Sequence, residues 1–205
     1  MIGIIDYGLG NVRAFANVYK NLNLPAIIVK HPRELKNVSK IILPGVGAFD
    51  YAMQKLDQSG MRQVLDEIVL HRHVPVLGIC VGMQMLAFSS EEGSLPGLGW
   101  IDGEVKKFNS SSSLRQSIRV PHMGWNNIKP LKLNGLFQGL GVDARFYFLH
   151  SYYFHCHRSE DIIAVTDYVG EFACAVKSEN VYGVQFHPEK SHQWGIRLLE
   201  NFAKL

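Results

Sequence analysis

The chain has 205 residues, of which 47% are hydrophobic and 19% charged, enough apolar material for one globular core; a single domain over residues 1–205 is expected. The net charge is +3 and the Lys and Arg residues are scattered, so no nucleic-acid or membrane-surface patch is indicated. The apolar runs are strand-length, short of the ~20 residues of a spanning helix. The opening MIGIIDYG lacks the basic start and long apolar stretch of a signal peptide. Three irregularly spaced cysteines form neither a disulfide framework nor a CxxC metal pattern, which points to a reducing cytoplasm.

The first half alternates strands and helices. IGIID (Ile2 to Asp6) is a buried-strand run, and Asn11 can cap a helix from Val12 to about Leu22. AIIV (Ala26 to Val29) and KIILPG (Lys40 to Gly45) are further apolar strands. A helix is expected over roughly Met61 to Arg72, with Ile68 and Val69 inward, then the strand PVLGI (Pro75 to Ile79) and a helix from Gly82 to Phe88. Continuous apolar strands separated by helices imply a parallel sheet covered on both faces. From Gly103 to about Phe186 the pattern turns to successive strands, GEVKKF, WNNIKP, RFYFLHSYYF, DIIAVTDY, EFACAV and VYGVQF, expected as antiparallel hairpins added to that sheet. NSSSSLRQS (Asn109 to Ser117) reads as a polar loop, and a last amphipathic helix covers about Trp194 to Ala203. The fold class is α/β, mostly parallel at the centre with antiparallel additions in the C-terminal half.

The stretch VPVLGICVGMQML (Val74 to Leu86) changes from strand to helix at Cys80, between Gly78 and Gly82. G-x-C-x-G has the form of a nucleophile elbow, which lifts a strained nucleophile above the sheet. Glycines on both sides let strand and helix pass closely. The N-terminus of the following helix faces the sulfur and favours the thiolate, and the Val81 N–H is placed as an oxyanion donor. The competing reading is a small hydrophobe at a tight turn. A thiol nucleophile also needs a base, and VYGVQFHPEKS (Val181 to Ser191) offers His187 just past a strand end, with Glu189 available to orient the imidazole. Active sites of parallel α/β sheets lie at C-terminal strand ends. ILPGVG (Ile42 to Gly47) runs from a strand into a glycine-rich turn whose N–H groups could complete an oxyanion hole; alone it is an ordinary βα loop.

GICVGMQ followed by HPE, in the order Cys, His, Glu, resembles the class I (triad) glutamine amidotransferases. DYGLGN, LPGVGAF, GLGW, PHMGWN, FLHSYY and YGVQFHPEKS resemble, within that family, the glutaminase subunits of imidazole glycerol phosphate synthases of histidine biosynthesis. The resemblance covers nearly the whole chain. It implies hydrolysis of glutamine to glutamate and ammonia, with the ammonia channelled to a (β/α)8-barrel cyclase subunit in a heterodimer. The cyclase converts the phosphorylated ribulosyl intermediate PRFAR to imidazole glycerol phosphate and the carboxamide ribotide AICAR. Cys80 is then the nucleophile, His187 the general base and acid, and Glu189 its orienter. Gly45, Val46 and Gly47 form the oxyanion strand, with Val81 as the second donor. Gln84 and Glu92 hold the amino-acid end of glutamine, with Gly45 and Gly82 beside them in the substrate site, and the backbone at Ser151 and Tyr152 receives its α-carboxylate. Asn11, Tyr147 and Lys190 face the partner. No cofactor, metal, nucleic acid or membrane is implied.

Two other readings remain open from the sequence: a paralogous subunit feeding ammonia to a partner that amidates surface-sugar precursors, and a free-standing γ-glutamyl thiol hydrolase. A non-catalytic module on the same fold is disfavoured by the intact Cys80, His187 and Glu189. Arg13 stands where the third glycine of G-x-G-x-x-G would follow Gly8 and Gly10, so no dinucleotide site is expected. Cys174 reads as an inward strand residue, Met83 and Met85 as packing, and His71 and His73 as helix-terminal residues suited to the dipole. His155, Cys156 and His157 lack further ligands at metal-binding spacing.

Overall fold

The computed structural model describes residues 1–108, 120–132, 135–168 and 170–205. The polar run Asn109 to Ser117 lies outside the described residues. Strands β1 (Ile2–Ile5), β2 (Ala26–Val29), β3 (Lys40–Gly45), β4 (Val76–Cys80) and β13 (Val181–Val184) form the parallel centre of an 11-stranded sheet, in the order β2-β1-β3-β4-β13. β1, β3 and β4 are buried almost throughout, as their unbroken apolar runs require when helices cover both faces. β12 (Glu171–Ser178) pairs antiparallel with β13, and β10 (Tyr152–Cys156) and β6 (Gly103–Lys107) continue outward to the two-residue β5 (Ser89–Ser90). β11 (Ile162–Asp167) pairs with β12 and with β8 (Lys129–Pro130).

Four expectations need correction. β7 (His122–Asn127) and β9 (Arg145–His150) do not join the main sheet; they pair with each other in a separate antiparallel ribbon, which touches the end of β13 through a single bridge from Tyr147 to His187. RFYFLHSYYF is accordingly two strands broken at Ser151, its first half in the ribbon and its second, β10, in the main sheet. The helix expected over Gly82 to Phe88 is one turn, α4 (Val81–Gln84). Past Met85 the N–H groups leave the α-helical pattern: Leu86 donates to Met83, Ala87 to Gln84 and Phe88 to Gly103 of β6, while a folded-back loop takes the carbonyls of Met85 to Phe88. The dipole behind the elbow is therefore that of one turn, with little to offer the sulfur. Finally, α3 (Arg62–Asp66) passes into a π-helical turn over Glu67–His71, which still buries Ile68 and Val69.

α1 (Val12–Asn21) buries Phe15 and Tyr19, and Asn11 accepts the Ala14 N–H as its cap. α2 (Phe49–Gln58) is missing from the sequence reading, although Phe49, Ala52, Met53 and Leu56 are buried at helical spacing. α5 (His192–Lys204) closes the chain and buries Leu198, Leu199 and Phe202. No helix among the described residues is long and apolar enough to cross a membrane.

Candidate active site

β4 ends on Cys80, whose backbone sits at φ 55°, ψ −112°. A non-glycine residue there costs of order 1–3 kcal/mol, held in place by the packing around it. Two glycines make that packing feasible. A Cβ on Gly78 would collide with the backbone of Gly82 and Met83, and one on Gly82 would collide with the Leu43 carbonyl of β3. Gly45 likewise abuts the backbone of Val81 and Gly82. Gly45 and Gly82 thus serve close packing of β3 on α4 and do not line the cavity beside Cys80.

Sheet register gathers the remaining parts. Gly45 pairs with Cys80 across β3 and β4, so the turn Val46–Gly47 leaves the sheet beside the sulfur. Val46 is exposed, and Gly47 has φ +90° with nothing near its Cβ position, so this turn is free to adopt conformations that a β-branched residue at position 47 would resist. On the other side β13 pairs with β4, bringing the chain after Val184 alongside Cys80. His187 follows, pinned through its backbone: its N–H donates to the Tyr147 carbonyl at 2.8 Å, and its own carbonyl accepts from the fully buried Ser191 hydroxyl at 2.6 Å. Pro188–Lys190 form a single 3-10 turn that carries Glu189 back under the imidazole.

His187 Nδ1 lies 2.9 Å from Glu189 Oε1, with both side chains only 4% exposed. Burial opposes a charge on His187. The hydrogen bonds to Cys80 and Glu189, reinforced by their charges, outweigh it and push the imidazole up to about 9. Cys80 Sγ also sits 3.7 Å from the Leu149 carbonyl. The ring is held between sulfur and carboxylate, an arrangement that can take a proton from a thiol and deliver it to a leaving group.

A cavity of about 290 Å³ opens beside the sulfur. Its lining includes Val46, Gly47, Cys80, Val81, Gln84 and Glu92, together with Ser151, Tyr152, His187 and Lys190. Glu92 Oε2 accepts the Phe49 N–H at 2.9 Å, capping α2, whose own N-cap Ala48 has no side chain to do so. Gln84 Nε2 donates to the Tyr152 carbonyl at 3.0 Å. Asn11 and Tyr147 stand outside the cavity, with Lys190 Nζ above the Tyr147 ring. The sequence reading misses Pro121, Leu149 and His150 in the wall. It also misses Tyr7, whose buried hydroxyl donates to the Pro44 carbonyl at 2.7 Å just before the glycine-rich turn; burial, then the neighbouring Cys80, keep that phenol protonated. Among the described residues no group of three or more His, Cys, Asp or Glu is arranged to hold a metal ion. His157 pairs with Asp102 and Glu104.

A cysteine on a strained strand–helix turn, with a carboxylate-oriented histidine at the next strand end, defines a thiol-dependent enzyme of the triad type. The sequence pattern of the class-I glutamine amidotransferases matches residues 3–205, and the chain belongs to that family. Within it, the chain is 57% identical to the imidazole glycerol phosphate synthase subunit HisH of Bdellovibrio bacteriovorus and 56% identical to that of Leptospira interrogans, over 100% of this chain and of each relative. The imidazole glycerol phosphate synthase subunit HisH 2 of Pseudomonas aeruginosa is 44% identical, again over 100% of both chains. Among solved structures, the fold matches a glutamine amidotransferase (TM-score 0.74, 20% identity, covering 100% of this chain and 99% of that one). It also matches a glutamine amidotransferase from Thermotoga maritima (TM-score 0.64, 18% identity, 97% and 80% covered).

Proposed function

We propose that this chain is the glutaminase subunit of an imidazole glycerol phosphate synthase, one domain that hydrolyses glutamine and passes ammonia to a (β/α)8-barrel cyclase subunit. The observation that carries the reading is the His187–Glu189 pair at 2.9 Å beside Cys80, in a chain identical at more than half its positions to HisH subunits along its full length. Cys80 attacks the side-chain amide of glutamine as the thiolate. The tetrahedral oxyanion is met by the N–H of Val81 and by the Val46–Gly47 turn. His187 protonates the leaving nitrogen, ammonia departs, and the same imidazole then takes a proton from the water that opens the thioester. Glu189 keeps the ring oriented with Nε2 free for these transfers. Glu92 faces the α-ammonium of glutamine, and the Ser151–Tyr152 backbone receives the α-carboxylate. The chemistry needs no metal or organic cofactor, and the cytoplasm, where glutamine is present, suits it.

Leu149 belongs both to the cavity wall and to an exposed apolar face on the ribbon, and Pro121, also in the wall, is exposed just before β7. There Met123 pairs with Leu149 and Trp125 with Tyr147, and Met123, Trp125 and Leu149 are exposed. We place the cyclase subunit on this face, next to Lys190 and Asn11. The exposed Val46 turn makes a gate of the oxyanion hole: losing one donor costs roughly 3–4 kcal/mol, about a hundred- to a thousandfold in rate. Glutaminase activity should therefore rise stepwise from the chain alone, to the complex, to the complex with PRFAR bound. Equal rates in all three would overturn the partner-gated reading in favour of a free-standing hydrolase.

A further inference from the structure

We infer that Gln185 is a positioning residue of this site, a buried amide that ties the nucleophile to the wall that recognises the substrate. The choice of substrate rests on the proposed glutaminase reading; the geometry does not. Gln185 is 0% exposed, in the segment between β13 and His187. Its Nε2 lies 3.9 Å from Cys80 Sγ, the long end for a sulfur acceptor, and its Oε1 lies 3.1 Å from Gln84 Nε2. A fully buried polar side chain just past the end of β13 is costly unless its groups are used, and here both ends are.

The orientation of each amide follows from its partners. The Tyr152 carbonyl can only accept, so the Gln84 group 3.0 Å away is its NH2. The second hydrogen of that NH2 goes to Gln185, which must therefore turn its oxygen to Gln84 and its own NH2 to the sulfur. A second chain reaches the same carbonyl from behind. His150 Nδ1 is 2.8 Å from Tyr152 O and so carries a proton, and its Nε2 accepts from His122 Nδ1 at 3.0 Å. Both lone pairs of the Tyr152 carbonyl are then filled.

Two consequences follow for the reaction. Gln84 has no N–H left for the cavity it lines; it offers only Oε1, an acceptor suited to an N–H of the substrate. Cys80 gains a neutral N–H donor, and such a donor favours a thiolate over a thiol. Gln185 thereby takes up the second N–H of the recognition amide, whose polarity the Tyr152 carbonyl fixes, and supports the nucleophile's ionised form, without touching substrate.

The test compares Gln185→Glu and Gln185→Met with wild type by iodoacetamide alkylation of the full chain at one neutral pH, Cys80 being followed by peptide mass spectrometry. KM for glutamine is then measured in the complex. Gln185→Glu keeps an acceptor for Gln84 but loses the donor to sulfur: alkylation should slow roughly tenfold, the low end for a hydrogen bond to a charged group, with KM little changed. Gln185→Met, neutral and of similar length, loses both, so alkylation should slow and KM should rise as the second Gln84 N–H loses its acceptor and the amide, held by Tyr152 alone, loosens. Wild-type alkylation in both variants, or an unchanged KM in Gln185→Met, overturns the assignment. Alkylation needs neither glutamine nor partner, so that failure is distinct from failure of the glutaminase reading, which would appear as a wild-type complex without glutamine-dependent activity.

Discussion

Glu92 has two duties that two substitutions separate. Its carboxylate caps α2 through the Phe49 N–H at 2.9 Å, and it faces the cavity where the α-ammonium of glutamine is proposed to sit. Glu92→Gln keeps an oxygen for the cap and loses the negative charge. A hydrogen bond to a charged group is worth about 1.5–3 kcal/mol, and this half-buried site takes the lower part of that range, so KM for glutamine should rise about ten- to thirtyfold. The melting temperature should barely move. Glu92→Ala loses the cap as well; at about 1 kcal/mol for a cap, a chain of this size should melt about 2–4 °C lower in addition to binding weakly. Steady-state kinetics of the complex and thermal unfolding of the chain read the two effects. An unchanged KM in Glu92→Gln would refute the placement of the α-ammonium, and an unchanged melting temperature in Glu92→Ala would refute the cap.

His187→Ala should cut glutamine turnover by roughly a hundred- to ten-thousandfold, whereas Glu189→Gln should be milder. By NMR of the labelled imidazole, Glu189→Gln should also lower the His187 midpoint from about 9 toward 6.5. Iodoacetamide should modify Cys80 ahead of Cys156 and Cys174, because burial pushes the Cys156 thiol up to about 12 and that of Cys174 higher still. Uniform labelling of the three would contradict this. Burial holds His122 down to about 4 and His150 to about 3, both below the ordinary 6.5. The unfolded chain binds more protons between those values, so stability should fall as pH drops from 6.5 toward 4. Denaturant unfolding across that range should show a flatter profile in His122→Asn.

The parallel half of the fold was legible because buried parallel strands write themselves as unbroken apolar runs such as KIILPG, with glycines marking their ends. The ribbon was not. Alternation in WNNIKP and RFYFLH identifies strands but says nothing about which sheet they join, and Ser151 gives no local sign that the chain changes sheets there. The segment after Cys80 reads as helix-forming to Phe88, yet the Phe88 N–H goes to Gly103 and the loop at 97–101 binds the carbonyls that follow α4, tertiary contacts that propensity does not carry. In the site, Cys80, His187 and Glu189 are visible because two short motifs hold them. Gln185 lies inside one of those motifs, but its duty depends on Gln84 and Cys80, which only the register of β13 on β4 brings to it. His122 and His150 come from opposite strands of the ribbon, directly paired, and no spacing in the sequence reveals that. Gly45 and Gly82, grouped with the substrate by resemblance, are explained by backbone contact.

The central claim is that ammonia reaches the partner's cyclisation through Cys80. The direct measurement is imidazole glycerol phosphate formation from PRFAR by the chain assembled with a histidine-pathway cyclase subunit. Wild type and Cys80→Ala are each supplied with either glutamine or ammonium salt. Glutamine should support synthesis only with wild type, while ammonium should support it with both. Glutamine-driven synthesis by Cys80→Ala, or none by the wild-type complex while ammonium still works, would contradict it.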